Sequence, residues 1–352
     1  MRVILTDTPK ASGIGRYVVN LINACKAETK VYSLSYKKSD STQDFFGEVI
    51  RGRFRLPLLA NWYFNRHYQS VAFGKLARIL SNQFAENTLY HYTDITIRPM
   101  TPQEKSVITV HDLFRAKDVY KQRYGYGQLR YIEHNLKMYF KFENLIVDSN
   151  SVANEILDLG YEFNPKVVYP PVDPSFIILN EKINLRKKLQ LPEDKFLVLS
   201  VSTDDPRKNL KVLPETMEKL GPNFRLVRVG PPSEHAFNFS GISNSMLNDI
   251  YNACDVLIFP STDEGFGIPL AEAMTVGLPI VALDIPVVKE VTGNTALLCS
   301  YEDMDFHKKI LETLERKEEI AREEIKRSSL FTFDVFSKKI GVIYDEILSK
   351  SN

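Results

Sequence analysis

Cysteine is scarce in this chain: Cys25, Cys254 and Cys299 stand far apart and in apolar surroundings. That spacing excludes a disulfide scaffold and a zinc cluster, and it reads as small buried thiols in a reducing compartment. Long apolar runs are missing too. No stretch approaches the roughly 20 residues that a membrane-spanning helix requires. The opening "MRVILTDTPKASGIGRY" has a single basic residue ahead of an apolar run too short for a secretion signal. The expectation is a cytoplasmic protein whose first apolar run is a buried strand. An excess of charge of one sign is absent overall, at net +1, and no low-complexity segment or short repeat is visible.

What is present is a soluble globular composition, 44% apolar and 25% charged, over 352 residues. That length predicts about two domains. The near-neutral total hides an asymmetry: residues 1–170 carry 23 Lys and Arg against 16 Asp and Glu, leaving 22 against 28 for residues 171–352. The basic, aromatic pieces lie at residues 51–68 and 121–142. They read either as core aromatics among solvated cations or as a face for an anionic partner, of which a peripheral membrane contact at the cytoplasmic face is one form.

Short β-branched runs recur, each followed by a turn and a helical pattern: "RVILTD", "KVYSLS", "TLYHYTD", "SVITVHD", "NLIVDSN" and "KVVYPPV", then "FLVLSVS", "RLVRVGP", "DVLIFPS", "PIVALD" and "TALLCS". Continuous apolar strands alternating with helices predict parallel sheets covered on both faces, hence two doubly wound α/β domains. Three prolines in "VYPPVDPSF" place the boundary near 168–176, giving domains of 1–172 and 173–332. The closing stretch 333–350 sets Phe333, Phe336, Ile340, Ile343, Tyr344 and Ile347 at helical spacing, so an amphipathic helix docks its apolar face.

Ligands of such sheets bind beyond the carboxyl ends of the strands, which singles out five loops. After the first strand, Gly13 and Gly15 either make a tight strand-to-helix turn or let a helix beginning near Gly15 point its amides at an anion. The third glycine of a dinucleotide fingerprint is missing, since Val18 stands there. His111, followed by Asp112, is a structural histidine or a donor to a substrate hydroxyl. No Ser or Cys nucleophile elbow lies beside it. Arg207 and Lys208 fall at the expected mouth of a helix opened by Asn209 and Leu210, where two cations suit a phosphate or diphosphate. Asp204 and Asp205, and likewise Asp303 and Asp305, read as helix caps rather than metal ligands. Gly230, followed by Pro231 and Pro232, exposes backbone for a flat ring. In "STDEGFGIPLAEAM", Pro269 suits the first helical position, Glu264 lies in the loop and Glu272 in the first turn. Either these carboxylates bind vicinal hydroxyls in one cleft, or Glu272 complements the helix dipole and Glu264 is a solvated loop acid.

"EGFGIPLAEAMTVGLPIVA" resembles the signature of family 4 retaining glycosyltransferases. "SGIGRY", "VHDL", "VDSNSVANEI", "VYPPVD", "DPRKN" and "NACDVLIFPS" stand in that family's order across nearly the whole chain. The resemblance implies the GT-B architecture, two Rossmann-like domains facing a central cleft, with the terminal helix crossing back to the first. It implies that Arg207 and Lys208 grip the diphosphate of a UDP- or GDP-sugar. Glu264 and the amides around Gly265, Phe266 and Gly267 would hold hydroxyls of the transferred sugar, and Glu272 those of the ribose. Gly13 and Gly15 would close over the diphosphate, with His111 near the donor sugar. The segments after Gly230 and at 284–293 depart from the family's form.

The implied activity is retaining transfer of a hexose from the nucleotide sugar to a hydroxyl of a glycan or lipid-linked acceptor. Cations and a helix N-terminus would carry the charge developing on the leaving diphosphate, with no cofactor and no metal. A nucleotide-sugar epimerase, a sugar phosphorylase of the same plan and a non-catalytic nucleotide or glycan binder remain alternatives. Nucleic acid is not an expected partner.

Overall fold

A computed structural model describes residues 1–8, 12–35, 42–51, 75–76, 78–80, 88–97, 99–113, 134–161 and 165–350. The basic stretches predicted at 51–68 and 121–142 therefore lie outside the described residues, apart from Arg51 and residues 134–142. The chain divides into two compact units, one of residues 1–168 with 336–352, the other of residues 169–335.

The first unit holds strands β1 (Arg2–Thr6), β2 (Thr29–Ser35), β3 (Glu48–Arg51), β4 (Leu89–Tyr92), β5 (Ser106–Val110), β6 (Leu145–Val147) and β7 (Lys166–Val167). They make a sheet of order β3-β2-β1-β4-β5-β6-β7, parallel throughout. Every residue of β4, β5 and β6 is buried, which is why these strands read as unbroken apolar runs. The second unit holds β8 (Phe196–Val201), β9 (Phe224–Val229), β10 (Ala236–Phe239), β11 (Val256–Phe259), β12 (Ile280–Leu283) and β13 (Leu297–Cys299). Its order is β10-β9-β8-β11-β12-β13, again all parallel. Both are doubly wound α/β sheets, as the strand-and-helix alternation predicts. The two strands absent from the expected runs, β3 and β10, are edge strands, and β10 is only partly buried.

The order reverses between β1 and β4 in the first sheet and between β8 and β11 in the second, so each sheet has its crevice there. The division at Val168 and Tyr169 precedes the expected break at 172 because Tyr169 packs on Phe266 and Phe331, and the Val172 amide donates to the Phe331 carbonyl. The terminal helix, Phe333–Lys350, joins the first unit from Phe336 onward and buries Phe336, Ile340, Ile343, Tyr344 and Ile347, while Phe333 is only half-buried. Cys254 and Cys299 are buried and Cys25 partly so, all as free thiols.

Candidate active site

In the second unit the loops that follow β8 and β11 meet at the switch point. Pro206–Lys208 is a single 3-10 turn, capped by Asp205, whose side chain accepts from the Arg207 amide at 3.2 Å. Asn209 is left-handed, at φ 50°, and the next helix begins only at Val212. Arg207 and Lys208 thus sit in their own turn, not at a helix mouth, because the left-handed residue cuts helical propagation between them. That turn is stitched to the β11 loop: the Thr262 amide donates to the Arg207 carbonyl at 2.7 Å, and Arg207 Nη1 donates to the Asp263 carbonyl at 3.0 Å.

The same Nη1 lies 2.9 Å from Glu264 Oε2, and Lys208 Nζ donates to Glu264 Oε1. Glu264 is buried, while the Arg207 and Lys208 side chains are part-buried, at 13% and 12% exposure. Burial disfavours the charged carboxylate, yet Lys208 and Arg207 outweigh it and hold Glu264 below its ordinary pKa. Glu264 is therefore a buried ion-pair partner of both cations, not a solvated loop acid. Three cations also reach Asp255, Lys182 at 2.6 Å, Arg186 at 2.6 Å and Lys317 at 3.3 Å, but this residue precedes β11 at the amino edge of the sheet. Location at the carboxyl edge is what singles out the Glu264 cluster.

Beyond Glu264 the loop is shaped from below. Phe266 is buried between Tyr169 and Phe331, with centroid distances of 5.7 and 5.4 Å. Gly267, at φ 89°, is the N-cap of the Ile268–Val276 helix, and a Cβ there would come 2.9 Å from Leu270. The helix therefore starts at Ile268, Pro269 is its second residue, and Glu272 lies past the first turn, one residue later than expected in each case. Glu272 is 1% exposed, and its Oε2 accepts from the Tyr251 hydroxyl at 2.8 Å, a partner absent from the expectation. Gly230 has φ 133°, and a Cβ would stand 2.1 Å from the Ser202 carbonyl oxygen; its amide donates to Phe239 at 2.9 Å. Its glycine identity is thus set by backbone crowding, and its N–H belongs to the β10 edge.

In the first unit, Ser12 caps the Gly13–Ala24 helix and accepts the Gly15 amide at 2.8 Å, so the helix opens two residues before Gly15. A Cβ on Gly13 would meet nothing within 4 Å. His111 follows β5, and its Nδ1 lies 2.6 Å from Asp148 Oδ2. Burial opposes protonation of His111, but Asp148, with Asp94 and Asp112, raises its pKa above the ordinary value. Asp148 was not singled out from the sequence, yet Val110 is in register with Val147, so the residues that follow them must emerge side by side. Among the described residues His111 Nε2 has no hydrogen-bond partner.

Asp305 precedes the Phe306–Ser328 helix without a capping hydrogen bond and pairs instead with Lys308, while Asp303 accepts from the Ser300 hydroxyl at 3.1 Å. The predicted side-chain cap at Asp305 is replaced by that ion pair. Among the described residues no group of three His, Cys, Asp or Glu could hold a metal ion.

The two parallel sheets, each covered by helices, define an α/β fold of two Rossmann-like units. Residues 181–329 match the family described as glycosyl transferases group 1. The chain is 23% identical over 354 residues to O-antigen chain mannosyltransferase B of Escherichia coli, covering 87% of this chain and 88% of that one. Identity to the O-antigen chain mannosyltransferase RfbU of Salmonella typhimurium is also 23%, over 269 residues, 71% of this chain and 70% of that protein. Anabaena HepE, in a structure with UDP and glucose, superposes with a TM-score of 0.75 at 15% identity, covering 98% of this chain and all of HepE. WaaG, a glycosyltransferase involved in lipopolysaccharide biosynthesis, gives 0.72 at 16% identity, covering 98% and 99%. The matched segment and the fold together support a glycosyltransferase of GT-B architecture.

Proposed function

We propose that the protein is a retaining hexosyltransferase that moves a sugar from a UDP- or GDP-sugar to a hydroxyl of a glycan or lipid-linked acceptor. The mannosyltransferase relatives favour mannose as that hexose. One observation carries the reading: Arg207, Lys208 and Glu264 converge at the switch point of the second sheet. Glu264 balances and orients the two cations until a diphosphate arrives. The diphosphate then takes their charge, and the Glu264 oxygens turn to sugar hydroxyls, with the Gly265 to Gly267 backbone beside them.

Cleavage of the glycosyl–phosphate bond leaves negative charge on the diphosphate, and Arg207 and Lys208 are the groups that stabilise it without a metal. With Glu264 committed to binding, retention proceeds on one face of the sugar: the leaving phosphate oxygen takes the acceptor hydroxyl proton as the acceptor oxygen bonds to the anomeric carbon. His111 orients the donor sugar, the Gly13 and Gly15 turn approaches the diphosphate, and Glu272, oriented by Tyr251, receives the ribose. No described helix is long and apolar enough to cross a membrane. Work in the cytoplasm, at the membrane face where a lipid-linked acceptor is found, is part of the proposal.

The test is a thermal-shift panel of UDP, GDP, ADP and their sugar conjugates, followed by transfer assays with the donor that stabilises most. The reading expects one nucleotide to raise Tm and free nucleotide to be released only with acceptor present, the product keeping the donor's anomeric configuration. Release without acceptor, or binding with no turnover, would contradict it.

A further inference from the structure

A buried polar chain runs through the first unit from the terminal helix to the His111 loop. The Tyr344 hydroxyl lies 2.6 Å from His91 Nδ1, and His91 Nε2 lies 2.7 Å from Thr109 Oγ1. Thr109 Oγ1 in turn lies 2.9 Å from the Tyr17 hydroxyl. All four residues are buried. Burial pushes the His91 pKa down to about 3, so the imidazole is neutral and has one donor and one acceptor nitrogen. Each has a hydroxyl partner, which can donate or accept, so neither ring nitrogen is left unpaired in either tautomer.

Tyr17 is where this chain reaches the site. Its ring stands edge-on to the His111 imidazole, with centroids 4.6 Å apart and planes at 82°. Phe336 of the terminal helix packs on the same ring at 5.6 Å and 78°. Tyr17 also belongs to the helix that opens at Gly13, so one side chain touches the His111 loop and rides on the glycine turn. His111 is thereby held twice, through Nδ1 by Asp148 and through its ring by Tyr17.

We infer that Tyr17, backed by Phe336 and anchored through Thr109 and His91 to Tyr344, is a positioning residue that sets the His111 imidazole for the donor sugar. The inference rests on the role proposed for His111 and extends it: the terminal helix takes part in the reaction by backing, through Phe336, the ring that faces His111. A side chain held by an edge-on ring on one side and a hydrogen bond on the other keeps one orientation, and misplacement by about 1 Å costs on the order of 100-fold in rate.

The test compares Tyr17→Leu, Tyr17→Phe and Leu34→Ala. Leu34 lies in β2, is fully buried, and supplies a variant of lowered Tm with no part in the chain. Kinetics with the stabilising donor and histidine-labelled NMR are read on each. Tyr17→Leu is expected to lower kcat at least tenfold with donor KM changed less than threefold, and to move the His111 ring signals. Tyr17→Phe, which keeps the ring and loses its anchor to Thr109, is expected to fall between Tyr17→Leu and the parent in kcat, and Leu34→Ala to keep the parent value. Should Tyr17→Leu fail to fold, Phe336→Leu serves the same comparison. Equal losses in Tyr17→Leu and Leu34→Ala, or His111 signals unmoved by loss of the ring, would overturn the inference. Absence of transfer in the unmodified protein would instead overturn the proposed function, while the NMR comparison would still decide whether Tyr17 orients His111.

Discussion

The two units share a strand order at their centres and equip the carboxyl edges of their sheets differently. In the second, the crevice holds charge: Arg207 and Lys208 close on the buried Glu264 in an ion cluster on two loops. In the first, the loop after β5, one strand beyond the reversal, holds His111, fixed by Asp148 and by the ring of Tyr17 at the end of a hydrogen-bonded chain. The contrast suits a division of labour. On the proposed function, a leaving diphosphate needs cations where its charge appears, whereas a sugar ring needs orientation, which a histidine held by one carboxylate and one aromatic ring supplies.

The sharpest break in this comparison is expected from Arg207→Ala. Loss of one pre-placed donor to a developing anion lowers kcat by roughly 100- to 1,000-fold. Steady-state kinetics at saturating donor check it, and a change confined to KM would reassign Arg207 to ground-state binding. Next in size is Glu264→Gln, which leaves two part-buried cations without their shared buried anion and is expected to cost about 2 kcal/mol of stability, less than for a fully buried pair. Chemical denaturation measures this, and an unchanged midpoint would mean that water already compensates the cations.

The same variant sharpens the comparison through pH. Glu264 has a folded pKa below its ordinary 4.5, so the stability it adds is present above about 4.5 and is lost as pH falls through the folded value. His111 has a folded pKa above its ordinary 6.5, so its contribution is present below about 6.5 and is lost as pH rises through the folded value. Tm profiles against pH should therefore flatten on the acid side in Glu264→Gln and on the alkaline side in His111→Gln. The same flank changing in both would refute the separate assignments.

Smaller effects separate two kinds of glycine. Gly230→Ala meets the Ser202 carbonyl at an unfavourable φ and is expected to lose about 1–3 kcal/mol of stability. Gly13→Ala meets open space at a helix start, so its Tm should stay within a few degrees of the parent. A several-fold rise in donor KM would then show that backbone approach, not folding, requires that glycine.

Much of this architecture was legible. Strands buried on both faces, such as "SVITV" in β5 and "VLIF" in β11, show as unbroken apolar runs, and the alternation with helices predicts parallel order. Edge strands such as "AFNF" bury only part of their surface and leave no such run. At the site, residue types were legible and partnerships were not. Placing Arg207 at a helix mouth missed the left-handed Asn209, whose conformation no apolar period reveals. Glu264 and Glu272 read as a pair of carboxylates eight positions apart. The fold gives one to two cations from another loop and the other to Tyr251. The His111–Asp148 pair depends on β5 and β6 being neighbours in register, a tertiary fact invisible to local spacing.

The central claim is that the Arg207, Lys208 and Glu264 cluster receives the donor diphosphate. Its most direct measurement is the rate of sugar transfer by Lys208→Ala beside the unmodified protein, with the same donor and acceptor. At least a tenfold loss of kcat/KM, with the fold intact by circular dichroism, is the expected result. Transfer at the unmodified rate would contradict the account.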